Sequence, residues 1–96
     1  MEKNWRFADP ENAAVITLRQ IVNEGEPILH VTHDSDDGGW QFLGWDDAKE
    51  EDVKVVALRT IVRLDPGVQE LADLPLGWHA WRRAVDQPWQ RGRFES

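Results

Sequence analysis

A phrase of eight residues is written twice, forty positions apart: Val15-Ile16-Thr17-Leu18-Arg19-Gln20-Ile21-Val22 and Val55-Val56-Ala57-Leu58-Arg59-Thr60-Ile61-Val62, with five positions identical. In each copy an apolar run suited to a strand passes into Leu-Arg-x-Ile-Val. The apolar residues of that ending fall at i, i+3 and i+4 and so share one face of a short helix. In a chain of 96 residues two such copies predict two similar β-strand-to-helix corners packed on one core. A domain this short buries only about 60–65% of its extended surface, so both corners draw on the same small core. The repeat specifies a scaffold and carries no chemistry.

The rest of the chain is read around these corners as a single α+β domain over residues 1–96. Residues 1–12 form an irregular lead-in anchored by Trp5 and Phe7. Ala13 to Ile16 is the first strand. Thr17 and Gln20 match the S/T-x-x-E/Q capping box, which makes Thr17 the cap of the first helix. Gly25 ends that helix and Pro27 prevents its resumption. Ile28 to His33 and Trp40 to Leu43 are two strands of a hairpin around the turn cluster 34–39. Alternation puts Trp40 and Phe42 on one face, toward the core. An acidic connector over 44–52 leads to the strand Val53–Ala57 and the second corner. Asp65-Pro66 reads as an N-cap followed by proline at the first helical position, and Leu74-Pro75-Leu76-Gly77 breaks that helix. Residues 78–83 alternate as a strand, with a helical turn as the competing reading, and residues 84–96 are expected to be a loose tail. The fold class is α+β: a small, mostly antiparallel sheet of four to five strands with two or three short helices.

The charge is unevenly placed. Residues 34–52 hold Asp34, Asp36, Asp37, Asp46, Asp47, Glu50, Glu51 and Asp52 against Lys49, a balance of −7, and the remainder is neutral. A nucleic-acid partner is not expected, because it requires a basic face that displaces counterions. An acidic surface instead steers a basic partner, although acidic loops also simply keep a small protein in solution. The chain has no cysteine, hence no disulfide framework and no thiolate chemistry. No apolar run approaches the ~20 residues of a membrane span, and the first residues lack a signal-peptide pattern. A cytoplasmic protein without a membrane partner is expected.

The candidates for chemistry fall short of a site. His33-Asp34-Ser35-Asp36-Asp37-Gly38 resembles a calcium loop, but counting from Asp34 puts Gly38 and Trp45 at the ligand positions 5 and 12. His30 and His33 are three apart in a strand and lie on opposite faces; His79 joins one of them only if folding brings it there. Ser35 and Ser96 have no adjacent base. Gly38-Gly39 leads into a strand and cradles no phosphate. Neither an enzyme, nor a cofactor, nor a metal is expected.

Six tryptophans are many for this length. Trp40 and Trp78 have strand settings suited to the core. Trp45 and Trp89 have polar neighbours and are the candidates for an exposed contact, because tryptophan dominates binding hot spots. With the acidic loops they make the candidate partner-binding set: Asp36, Asp37, Trp45, Asp46, Asp47 and Trp89. Arg19 and Arg59 start the two helices and are expected to pin carboxylates of the neighbouring corner or to bind an anion.

Three further stretches carry a family likeness: Gly39-Trp40-Gln41-Phe42, Ile61-Val62-x-Leu64-Asp65-Pro66, and Leu74-Pro75-Leu76-Gly77-Trp78-His79-Ala80-Trp81-Arg82. Together they resemble a family of small bacterial domains of unknown function, some of whose relatives are grouped with immunity proteins of polymorphic toxin systems. The likeness covers residues 13–83 and includes no catalytic motif. The usual aromatic-acid-arginine ending is here Trp81-Arg82-Arg83, without the acid. The resemblance implies an α+β sheet domain and inhibition of a partner by binding.

The functional expectation is a non-enzymatic protein-binding domain, immunity-like in the sense of the resemblance, that presents its acidic surface and Trp45 to a basic partner such as a toxin. The alternative is a housekeeping domain that binds a small ligand or metal through His30, His33 and the aspartate loop. Edge strands and exposed tryptophans also invite a homodimer.

Overall fold

The computed structural model describes residues 5–46 and 48–94. Ten short elements follow one another: β1 (Ala14–Leu18), α1 (Arg19–Glu24), β2 (His30–His33), β3 (Trp40–Leu43), a 3-10 turn (Glu50–Asp52), β4 (Val53–Ala57), α2 (Leu58–Leu64), a 3-10 helix (Pro66–Leu71), β5 (Trp78–Trp81) and β6 (Gln90–Arg93). The strands form one mixed sheet in the order β4-β1-β3-β2-β5-β6. Only β1 and β3 run parallel; the other neighbours are antiparallel.

The two copies of the repeat are the two corners, and they sit side by side. β1 and β4 pair antiparallel through five residues each, with Ile16 opposite Val55. Leu18 and Leu58 then turn into α1 and α2, and Ile21 and Ile61 are buried. Arg19 crosses to the other corner, where its Nε donates to Asp52 at 2.9 Å.

Alternation along the strands sorts the sheet into two faces. Val15, Val31, Trp40, Phe42 and Ala80 join the helical residues Ile21, Leu58, Ile61, Val68 and Leu71 in one core. The opposite face carries Ile16, Val55, Gln41, Leu43, His30, Thr32, His79 and Trp81, by the register of the pairings. That face has no helix of the described residues packed on it.

Three sequence expectations are corrected. The sheet has six strands rather than four to five. The extra one is β6, inside the stretch 84–96 read as a loose tail, and it pairs with β5 from Trp78↔Arg93 to Trp81↔Gln90. Its sequence Gln-Arg-Gly-Arg has no apolar alternation; the free edge of β5 recruits it. The third concerns Thr17, which does not cap α1. It lies in β1 fully buried, and its hydroxyl donates to the Phe42 carbonyl at 2.7 Å. The N-cap position falls to Leu18, with no side-chain bond, and Gln20 reaches across to Asp52 instead. A carbonyl one strand away outcompeted the local amide.

The other local signals hold. Gly25 takes φ 74° past α1, a left-handed geometry that glycine adopts without penalty. Asp65 caps the 3-10 helix by accepting from the Gly67 N–H at 3.0 Å, with Pro66 behind it. Residues 78–81 are strand.

Candidate functional site

The acidic run 34–52 is divided by the fold. β3 separates the turn 34–39 from the loop that follows Leu43, and its four residues span about 10 Å. At the near end the carboxylates mostly serve their own turn. Asp34 accepts from the Asp36 N–H and Asp37 from the Gly39 N–H, both at 2.8 Å. Asp36 is exposed. At the far end Trp45 is 62% exposed and Asp46 stands beside it in solvent; Asp47 lies outside the described residues. Asp52 is buried and accepts from both Gln20 and Arg19. The Gln20 amide first, and then the Arg19 guanidinium, hold its carboxyl below the ordinary aspartate range. The expected acidic surface is therefore two separate patches.

Trp89 is half-buried, and its ring covers the Arg82 guanidinium with 4.1 Å to the centroid. Its indole N–H points to the Gly67 carbonyl at 3.3 Å. Much of this residue is thus engaged inside the molecule.

The loop that carries Trp89 closes one side of a cleft of about 430 Å³. Trp45 and Trp81 line it together with Arg83, Gln87, Pro88 and Gln90. Trp81 belongs to the uncovered face of the sheet, where it continues into a row of rings. His79 tilts against Trp81 at 4.9 Å and stacks on Phe94 at 4.5 Å with an interplanar angle of 5°. His30 Nε2 lies 3.0 Å from His79 Nδ1, so one imidazole donates and the other accepts. A second cavity of about 410 Å³ is lined by His30 and His33 together with Thr32, Asp34, Ser35, Gln41 and Phe94.

His33 faces the other way. It stacks on Trp40 at 3.8 Å, and its Nδ1 sits 2.7 Å from the Leu74 carbonyl, which only accepts. That contact assigns the proton to Nδ1. The rings of His30 and His33 thus make different contacts, although both border the second cavity, and His79, forty-nine residues from His30, is the one that bonds to it. Among the described residues no three His, Cys, Asp or Glu side chains converge to hold a metal ion. The signal for His79 and Trp81 was the alternation of residues 78–83, which put both opposite Trp78 and Ala80. No local signal pointed to Phe94.

Burial first, and His79 second, hold the His30 imidazole below its ordinary range. Its cross-strand neighbours are Leu43 and Trp81, so His79 is the titrating group that it faces. The unfolded chain takes up this proton more readily, so His30 contributes stability above about pH 6.5 that is lost as the pH falls below it. Thermal scans are expected to show a lower Tm at about pH 5.5 than at pH 7.5, with part of that drop absent in His30→Gln. An equal drop in both proteins would refute the assignment.

The arrangement offers flat apolar surfaces, imidazole donors and acceptors, and the guanidinium groups of Arg82 and Arg83, in clefts open to solvent. Compared with known proteins, the chain matches no family, and no curated protein and no solved structure is significantly similar to it. The family likeness rests on its quoted motifs alone. No helix of the described residues is long and apolar enough to cross a membrane.

Proposed function

We propose that this chain is a cytoplasmic, non-enzymatic protein-binding domain that grips its partner in the cleft between Trp45 and Trp81. The observation that carries the reading is the exposure of Trp45, 62%, at a cleft that a second tryptophan, Trp81, also lines. A large indole left in water beside a preformed recess is the usual form of a binding hot spot. Trp45 also borders a second recess where Glu26, Asp46 and Asp52 outnumber Lys49, and the exposed Glu50 and Glu51 follow in the chain. This favours a basic partner over nucleic acid. The immunity-like form of the reading, with a toxin as that partner, comes from the motif resemblance.

The test compares two baits in lysate of the source cell, the wild-type chain and Trp45→Ala/Trp81→Ala. The reading requires a basic protein held by the first and lost by the second. On the purified pair, Trp45→Ala is expected to speed dissociation by about 30-fold, the effect of losing a ~2 kcal/mol anchor. Asp46→Asn is expected to slow association and flatten its salt dependence, while Asp36→Asn and Asp37→Asn, at the other end of β3, leave the rates unchanged. Identical recovery by both baits, or no recovery, overturns the proposal.

A second reading is favoured by the cavity that His30, His33 and Asp34 line together. In it a small ligand sits in that cavity, with His79 fixing the His30 ring from behind. The same baits separate the two readings, since this one leaves Trp45 uninvolved.

A further inference from the structure

The two edges of the sheet differ. β6 is four residues long and carries Arg91 and Arg93, with Arg91 tied to Asp73 and to the Glu70 carbonyl. Short, charged edges of this kind resist pairing. β4, at the other edge, is five residues with Val53 41% and Val55 66% exposed.

The backbone phase of β4 follows from one hydrogen bond. The Leu58 N–H donates to the Ala13 carbonyl at 2.8 Å, which continues the β1–β4 register of Ala14↔Ala57. Bonded and non-bonded pairs alternate along an antiparallel ladder. Val56 and Lys54 therefore bond inward to β1, and Val53, Val55 and Ala57 point their N–H and C=O groups away from the sheet.

We infer that β4 pairs antiparallel with β4 of a second copy about a two-fold axis through Val55, joining two six-stranded sheets into one. Val55 is the middle residue of β4, so this axis matches all five residues. Val53 meets the second copy's Ala57, and Val55 meets its own equivalent. Lys54, the one charge on the strand, falls opposite the second copy's Val56 and meets no like charge. The side chains of Val53 and Val55 then extend one apolar surface with Ile16 across the axis. The contact lies at the opposite edge from Trp81, since β5 is four strands away, about 19 Å. Five residues a side make a contact below the size of permanent dimers, so the association is weak and concentration-dependent.

Sedimentation velocity between about 5 and 500 µM is expected to show a shift from one chain toward two, the range of a small interface. Val55→Pro removes an outward N–H while leaving the inward ladder intact, and is expected to stay monomeric throughout with an unchanged circular dichroism spectrum. Val55→Lys, which sets like charges on the axis and tolerates an exposed edge, gives the same result should the proline disturb the fold. A wild-type chain that is monomeric at the highest concentration overturns the inference. So does a dimer that survives both Val55 variants, including one lost instead in Trp45→Ala.

Discussion

Arg82→Met is expected to cost about 3–5 kcal/mol of stability, the range for removing one partner of a buried ion pair. For a domain of this size that lowers Tm by roughly 12–25 °C or more. Arg82 is 3% exposed. Its Nε and Nη2 both donate to the Ile28 carbonyl, at 3.1 and 2.9 Å, and Nη1 donates to the Val85 carbonyl at 3.2 Å. Nη2 also pairs with Asp65, whose other oxygen caps the 3-10 helix, and Trp89 lies over the guanidinium. One side chain thus ties the entry to β2, the start of the 3-10 helix and the loop before β6. Methionine fills much of the space but leaves the Asp65 carboxylate and the Ile28 carbonyl without donors in a desolvated site. Arg82→Lys keeps the charge and loses the fork of donors, so it is expected to recover less than half of the difference. Urea unfolding followed by circular dichroism measures both. A loss under about 1 kcal/mol for Arg82→Met would place the guanidinium in solvent, as for an exposed pair.

Phe42→Ala is expected to cost a similar amount, about 3–5 kcal/mol, as a large-to-small change in a closed core. Phe42 is fully buried on β3, between β1 and β2, with its ring parallel to Trp40 at 6.0 Å. Folded domains hold only about 5–15 kcal/mol in total, so either variant alone brings this chain close to unfolding at 25 °C. Val55→Ala, on the exposed edge, is the contrast and stays within about 0.5 kcal/mol. If Phe42→Ala proved as mild, the core of the sheet would not be the one described.

The legible features were those whose cause lies within a few residues. The repeat announced both corners because a strand run followed by apolar residues at i, i+3 and i+4 is a complete local instruction. Trp40 and Phe42 were placed in the core by period-two alternation, Gly25 by its freedom at positive φ, and Asp65-Pro66 by the chemistry of a helix start. Arg19 was matched to a carboxylate of the neighbouring corner, as Asp52 is. Of the candidate contact residues, Trp45 emerges exposed on a cleft, whereas Trp89 is largely taken up by Arg82. The aspartates expected to make one surface are split by the length of β3.

What the sequence by itself determined is therefore the alphabet of elements: two corners, a hairpin, a capped helix after the second corner and the inward face of Trp40 and Phe42. The tertiary structure decided the rest through partners distant in the chain. Thr17 left its capping position for a carbonyl 25 residues away, and His30 found His79 across 49. Arg82 was drawn into the core by Ile28, 54 residues before it, and Gln90–Arg93 became a strand because β5 had an open edge. A buried donor or acceptor without a partner costs more than a local preference supplies. Such groups therefore go where the assembled sheet leaves them a partner, and that place does not exist until the chain has folded.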